Sequence, residues 1–179
     1  MTGESRALAH FIATTAADDV PEIVRANALA TIVDAYGTAL AGAGEAGPRT
    51  IVQALLPLAG HGRSHALGVP DRRVDPASAA LFNGSAAHAL DYDSISFAVS
   101  GFVGSQALFA LAALADEGRY SGREVVTAYS VGWEAAAALG RALNPEHYAK
   151  GWHPTATLGT FAAAAAASRL LGLDTDQTV

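Results

Sequence analysis

Apolar residues recur at helical spacing through most of the chain, beginning near Ser5 in SRALAHFIATTA. The pattern resumes at Pro21, whose fixed φ suits a first helical turn, and runs through EIVRANALATIVDAYGTALAG until Gly42 and Gly44 end it. A third segment, residues 49–59, carries Ile51, Val52, Leu55, Leu56 and Leu58 on helical spacing. The stretch HGRSHALGVPDRRV then breaks the period and is the one place that suits a short extended excursion.

Helix punctuation is clear in the second half. Asp75 before Pro76 is an N-cap followed by a first-turn proline, and the helix it opens is expected to reach about Leu90. A loop from Asp91 to about Gly104 leads into an apolar helix ending near Asp116. Ser121 and Glu124 form a capping box for REVVTAYSVGWEAAAALGRAL. After Asn144, Pro145 and the short loop HYAKGW, Pro154 opens a helix through six consecutive alanines, 162–167, that Gly172 terminates. Asp174 to Gln177 has the look of a further helix start. No repeat, linker or charge block divides residues 1–179, so a single all-α domain, a helical bundle, is expected.

Composition narrows the chemistry. With no cysteine, thiol nucleophiles, iron–sulfur clusters and cysteine-based zinc sites are excluded. The 42 alanines and 18 glycines suit helices packed closely through small side chains. A net charge of −6, with ten Arg and the single Lys150 as cations, leaves no basic stripe for nucleic acid. Residues 94–115 carry no formal charge, but their four serines and the flanking Asp93 and Asp116 argue for a loop feeding a buried helix rather than a membrane span. The opening MTGESRALAHF lacks a basic segment followed by a long apolar run, so a cytoplasmic location is expected.

Two segments break local rules in ways that suggest a site. In HALDYDS, Asp91 and Asp93 fall at a helix C-terminus, where the macrodipole disfavours anions. A carboxylate kept there can exchange a proton or orient a histidine, and His88, three residues before Asp91, is positioned to donate a hydrogen bond to it; a solvated Asx turn is the plainer alternative. In GWHPTATLGT, His153 precedes Pro154, so an imidazole stands beside a helix N-terminus whose free N–H groups attract carboxylates. That pairing suits proton abstraction from a carboxylic acid, the alternative being a histidine that only caps. His10 reads as structural. His61 and His65 are four apart, but Gly62 between them and the want of a nearby carboxylate argue against a metal pair. The pair Glu146 and His147 reads as surface loop. No nucleotide-binding or serine-hydrolase motif is present.

At these same residues the chain resembles a known family. NGSAAHALDYD (83–93), SGREVVTAYSVGWEAAAALGRAL (121–143) and HYAKGWHPTATLGTFAAAAAASRLLGLD (147–174) are similar to the N-terminal half of MmgE/PrpD proteins, which include 2-methylcitrate dehydratases, cis-aconitate decarboxylases and iminodisuccinate epimerases. The resemblance implies a large helical domain, with the smaller lid domain of the family absent, and a dimer or higher oligomer. It also implies a small carboxylic-acid substrate and no organic cofactor or metal. Asp91 matches the first aspartate of the family's D-[FY]-D-D motif and His153 the histidine of its H-P motif, which implies catalytic roles for both. Asp93, Lys150, Thr155, Thr157 and His88 are the candidate substrate-binding residues.

The departures are specific. The second acid pair reads Asp93-Ser94, and Ile95 stands where a threonine usually follows. The family's H-P-[SG] motif is replaced by the stretch from Gly101 to Gly104, with no His or Pro between Asp91 and Arg119. The lysine, histidine and tyrosine that the family supplies from its second half have no counterpart. The resemblance therefore implies the N-terminal portion or small subunit of a split, cofactor-independent lyase or isomerase, inactive without a partner chain that supplies the C-terminal half and lid. The competing expectation is a non-catalytic helical scaffold that has lost the chemistry.

Overall fold

The computed structural model describes residues 3–179. Its elements in chain order are α1 (Gly3–Thr14), α2 (Glu22–Gly42), α3 (Ala46–Leu55), α4 (Pro76–His88), β1 (Ile95–Ser96), β2 (Gly101–Phe102), α5 (Gly104–Glu117), α6 (Gly122–Leu143), α7 (Glu146–Ala149), α8 (Pro154–Leu171) and α9 (Thr175–Thr178). The domain is all-α, as the periodicity predicts. Its only paired strands among the described residues are two-residue partners, Ile95 with Phe102 and Ser96 with Gly101.

The capping residues act where expected. Asp75 accepts from Ser78 N and also from Gly60 N, which ties the start of α4 back to the loop after α3. Ser121 and Glu124 exchange their hydrogen bonds at the start of α6. Gly172 closes α8 in the left-handed region, at φ 68°, and Asp174 caps α9 with Gln177 as its partner. Two boundaries differ from the periodicity. α3 gives way at Leu56 to a 3₁₀ turn, residues 56–58, because Pro57 has no N–H for the α pattern. α4 stops at His88, two residues short of Leu90. The extended excursion reduces to one bridge, Ser64 with Val74.

The main core is built by α2, α4, α5, α6 and α8 around Leu108, Phe109, Leu111, Tyr129 and Leu158. α5 lies at its centre, with Ala107, Leu108, Phe109 and Leu111 all buried. α6 and α8 pack backbone to backbone: a Cβ on Gly132 would stand 2.6 Å from the carbonyl oxygen of Ala162 and 2.7 Å from Cβ of Ala166. The alanine run exists for this approach, since larger residues would push the axes apart. A smaller cluster under α3 and α4 gathers Val69, Val74 and Phe82, and α1 seats Ile12 against Val131, Ala135 and Ala165. Arg169 Nε reaches the Thr15 carbonyl at 2.7 Å and holds α1 to α8.

α2 is apolar on both sides. Ala28, Ala35, Thr38 and Ala39 face inward, whereas Ile23, Val33 and Leu40 on the outer side are 66–72% exposed. No helix of the described residues is long and apolar enough to cross a membrane; the uncharged stretch becomes the hairpin loop followed by the 14-residue α5.

Candidate active site

The end of α4 sets the geometry. Asp91 adopts φ 57°, the left-handed region that few non-glycine residues enter, aspartate and asparagine being among those that do. Its N–H is still bonded to the His88 carbonyl at 3.3 Å, so the chain reverses within one turn. As a result Asp93, not Asp91, meets His88. The sequence expectation of a His88–Asp91 contact is corrected here: a helix continued to Leu90 keeps positions 88 and 91 near each other, but the left-handed residue swings Asp91 outward and returns Asp93 beneath the ring.

His88 Nδ1 lies 3.0 Å from Asp93 Oδ1 and 3.2 Å from Oδ2. Ser105 Oγ, in the first turn of α5, donates to Oδ2 at 3.1 Å. The Asp93 side chain is 1% exposed and the His88 side chain 37%. Because a carboxylate accepts only, the ring's proton sits on Nδ1 and Nε2 is the nitrogen left for other partners. The Phe102 ring rests against the imidazole at 5.2 Å between centroids.

β2 carries this arrangement to α8. The Thr155 hydroxyl accepts from Phe102 N at 3.0 Å, and a Cβ on Gly101 would stand 2.9 Å from both Thr155 N and Thr155 Oγ1. Glycine at 101 thus lets the hairpin lie directly on the first turn of α8. The hairpin is held from two further sides: Ser94 Oγ donates to Asp34 Oδ2 on α2 at 2.6 Å, and Asn144 Nδ2 donates to the Val99 carbonyl at 2.7 Å.

His153 is the N-cap residue of α8, with extended backbone at φ −92° and ψ 106°, and its ring is exposed. Its carbonyl, not its ring, makes the cap contacts, accepting from Ala156 N at 3.0 Å and Thr157 N at 3.1 Å. Thr157 Oγ1 donates to that carbonyl at 3.2 Å and accepts from His147 Nε2 at 2.8 Å, while the His147 ring stacks on Trp152. Lys150 ends α7 and is exposed, with Gly151 beyond it at φ 89°.

The structure therefore joins most of the sequence-derived residues into one region. His88 and Asp93 form a hydrogen-bonded pair with Asp91 beside them, and β2 links that pair to Thr155 and the α8 N-terminus where His153 stands. Thr155 and Thr157 spend their hydroxyls on the scaffold, and the N–H of Thr157, like that of Ala156, is taken by the His153 carbonyl. Ser105 and Asn144 escaped sequence reading because serine at a helix start and asparagine before proline are common in any helical protein. A ring nitrogen of His88 and one carboxylate oxygen from each of Asp91 and Asp93 lie within 4.8 Å of one another. In this structure hydrogen bonds from His88 and Ser105 engage both oxygens of Asp93.

Comparison with known proteins matches residues 6–179 to the MmgE/PrpD N-terminal domain. The chain belongs to the MmgE/PrpD family. A relative named cis-aconitate decarboxylase from Aspergillus terreus is 30% identical over 98% of this chain and 37% of its own length. The Aspergillus oryzae protein named cis-aconitate decarboxylase-like protein oryM is 31% identical over 96% of this chain. A human protein named cis-aconitate decarboxylase is 37% identical over 59% of it. This MmgE/PrpD chain spans little more than a third, 37%, of the length of the Aspergillus relatives.

Proposed function

We propose that this chain is the N-terminal helical part of a cofactor-independent lyase or isomerase that acts on a small carboxylic acid, and that a second chain supplies the rest of the active site and the lid. Family membership and the three relatives named for cis-aconitate decarboxylation support a lyase. The observation that carries the reading is the His88–Asp93 pair, a histidine held in one tautomer by a buried carboxylate. That is the arrangement a proton-transfer group needs, because it makes Nε2 the working nitrogen and stabilises the imidazolium once formed.

In this reading the positive end of the α8 dipole and exposed Lys150 together draw a substrate carboxylate by charge. His153, with His88 across β2, exchanges the proton at the carbon next to that carboxylate. Asp91, projected by its left-handed backbone, polarises the substrate or orients the base. In a decarboxylation the C–C bond to the departing carboxyl breaks, its electron pair stays on carbon, carbon dioxide leaves and the histidine delivers a proton to that carbon. In a dehydration the histidine takes the proton, the C–H pair forms the double bond as the neighbouring C–O bond breaks, and the imidazolium returns the proton to the departing hydroxyl, which leaves as water.

The contact of Gly101 with Thr155 favours a second reading, a scaffold without chemistry, since a histidine cannot enter at 101 without lifting the hairpin from α8. One experiment separates the two. The chain is affinity-purified from its own cells, and the complex obtained is incubated with small di- and tricarboxylates in deuterium oxide. Exchange or turnover that disappears in His153→Ala and Asp91→Asn supports the enzyme. Lack of a co-purifying chain removes the split-subunit reading, and a complex inert towards every acid leaves the scaffold.

A further inference from the structure

α5 has a second cluster of titratable side chains at its other end. From Ser105 to Asp116 the helix rises about 16 Å, at roughly 1.5 Å per residue, so this cluster is separate from the His88–Asp93 region. Around it lies a cleft of about 420 Å³ lined by Tyr36 of α2, His65 and Arg73 of the loop after α3, Asn83 of α4 and Asp116 of α5, among others.

His65 is fixed there from three directions. Asp116 Oδ2 accepts from the backbone N of His65 and faces its ring Nδ1, both at 2.8 Å. Asn83 Nδ2 donates to the His65 carbonyl at 2.9 Å, while Asn83 Oδ1 accepts from Leu67 N at 2.7 Å. Asn83 is buried, and its two bonds hold this loop to α4. The Nδ1 proton of His65 is spent on Asp116, which leaves Nε2 for other partners.

The other walls complement this nitrogen. The Tyr36 ring packs edge-on against Phe109 at 5.4 Å, which sets the direction of its phenol. Burial and the nearby Asp116 charge push the Tyr36 hydroxyl above its ordinary pKa, so it remains a donor. Arg73 and Arg63 both lie near enough to draw the Asp116 carboxyl down against the effect of its burial. Arg63 is already committed to Glu117, through its guanidinium to the carbonyl at 3.4 Å and through its backbone N to the side chain at 2.5 Å. Arg73 has no hydrogen-bond partner among the described residues. In a chain of net charge −6, the Arg73 guanidinium, whose charge faces Asp116 without a hydrogen bond to it, stands beside a phenol and an oriented imidazole and keeps its donors for a ligand.

We propose that this cleft is a second ligand site, which takes a small oxyanion, a carboxylate or a phosphate, on the guanidinium of Arg73 with hydrogen bonds from Tyr36 and His65. Asp116 and Asn83 are positioning residues that aim the imidazole. The guanidinium fork matches either oxyanion geometry, and the cleft volume accommodates a small molecule rather than a polymer.

The test is a titration of the ¹³C-labelled chain, or of its purified complex, with inorganic phosphate and separately with succinate, following the ring C–H resonances of the six histidines, His65 being assigned with His65→Asn. The expected result is a saturable shift of the His65 signal with at least one of the two, which also identifies the preferred oxyanion. Arg73→Gln weakens that binding about tenfold or more, and Tyr36→Phe weakens it roughly fivefold, the worth of one hydrogen bond of about 1 kcal/mol. Arg73 is exposed, so its replacement leaves the fold in place, which unchanged resonances elsewhere verify. The proposal is overturned if neither anion gives a saturable shift, or if Arg73→Gln binds as the wild type does. Because the readout is binding at His65, it stands or falls independently of any activity at His153.

Discussion

The Asp93 carboxylate lies under the His88 ring, 3.0 Å from Nδ1 and almost wholly shielded from water, while the ring above it remains partly open. This inequality predicts unequal effects of substitution. Asp93→Ala leaves the protons of His88 Nδ1 and Ser105 Oγ without their acceptor in a buried position, a cost of about 1–3 kcal/mol. For a domain of this size that is roughly 2–12 °C in Tm. His88→Gln keeps a donor at the half-open position and is expected to change Tm by no more than a degree or two. Calorimetry of the two variants checks this, and equal losses would mean that the pair does not carry the stability assigned to it.

The packing of α6 on α8 predicts opposite signs for one chemical change at two glycines. Gly132→Ala drives a methyl into the Ala162 carbonyl and the Ala166 side chain, and overpacking of this kind costs about 1–3 kcal/mol. Gly84, inside α4, has nothing within 4 Å of the position its Cβ would take. Gly84→Ala is therefore expected to stabilise by roughly 0.5–1 kcal/mol through helix propensity alone. Urea unfolding of both variants is the measurement, and a destabilising Gly84→Ala would show that α4 is packed more tightly at that position than its geometry indicates.

Acid stability has an identifiable source in Asp75, whose bonds from Ser78 and Gly60 hold its carboxyl below the usual carboxylate range. A folded-state value lowered in this way gives stabilisation that is present above the unfolded value near 4 and fades as pH falls through the folded one. Asp116 works in the opposite sense, since burial raises its carboxyl; its contribution is present at low pH and is lost as pH rises through the raised value. Asp75→Ala is expected to cost about 1 kcal/mol at pH 7, toward the low end for a cap because the group is solvated. The gap to wild type should narrow as the pH is lowered from 7 to about 3, below the unfolded value. Paired denaturation curves at the two pH values test this, and a gap that stays constant would rule out the carboxylate as its cause.

Several elements were legible in the sequence for local reasons. Asp75 with Pro76, Ser121 with Glu124, and Gly172 act within one turn of the backbone, and each ends or begins a helix where its residue type predicts. The family motifs likewise singled out Asp91, Asp93 and His153 as candidates. What escaped depends on contacts that no short window contains. His65 and Asp116 are 51 positions apart, and their meeting is decided by how the long loop returns across α5. The hairpin of residues 95–102 pairs only two residues per strand, too few for an alternating pattern to register. His88 was matched with the wrong carboxylate because helical spacing favours position 91, and the left-handed turn that overrides it has no marker beyond the tolerance of aspartate for that conformation.

That turn also determines which edits the chain can absorb. His88 and Asp93 are five positions apart, a spacing that on an unbroken helix would carry them about 140° apart; it works only because one residue between them reverses the handedness of the backbone. The segment 89–92 is consequently intolerant of changes in length. A single deletion or insertion there would place a different side chain beneath His88 and carry Asp93 away from Ser105, even if every motif residue were kept. Among natural or designed variants of this chain, gaps should be purged from these four positions.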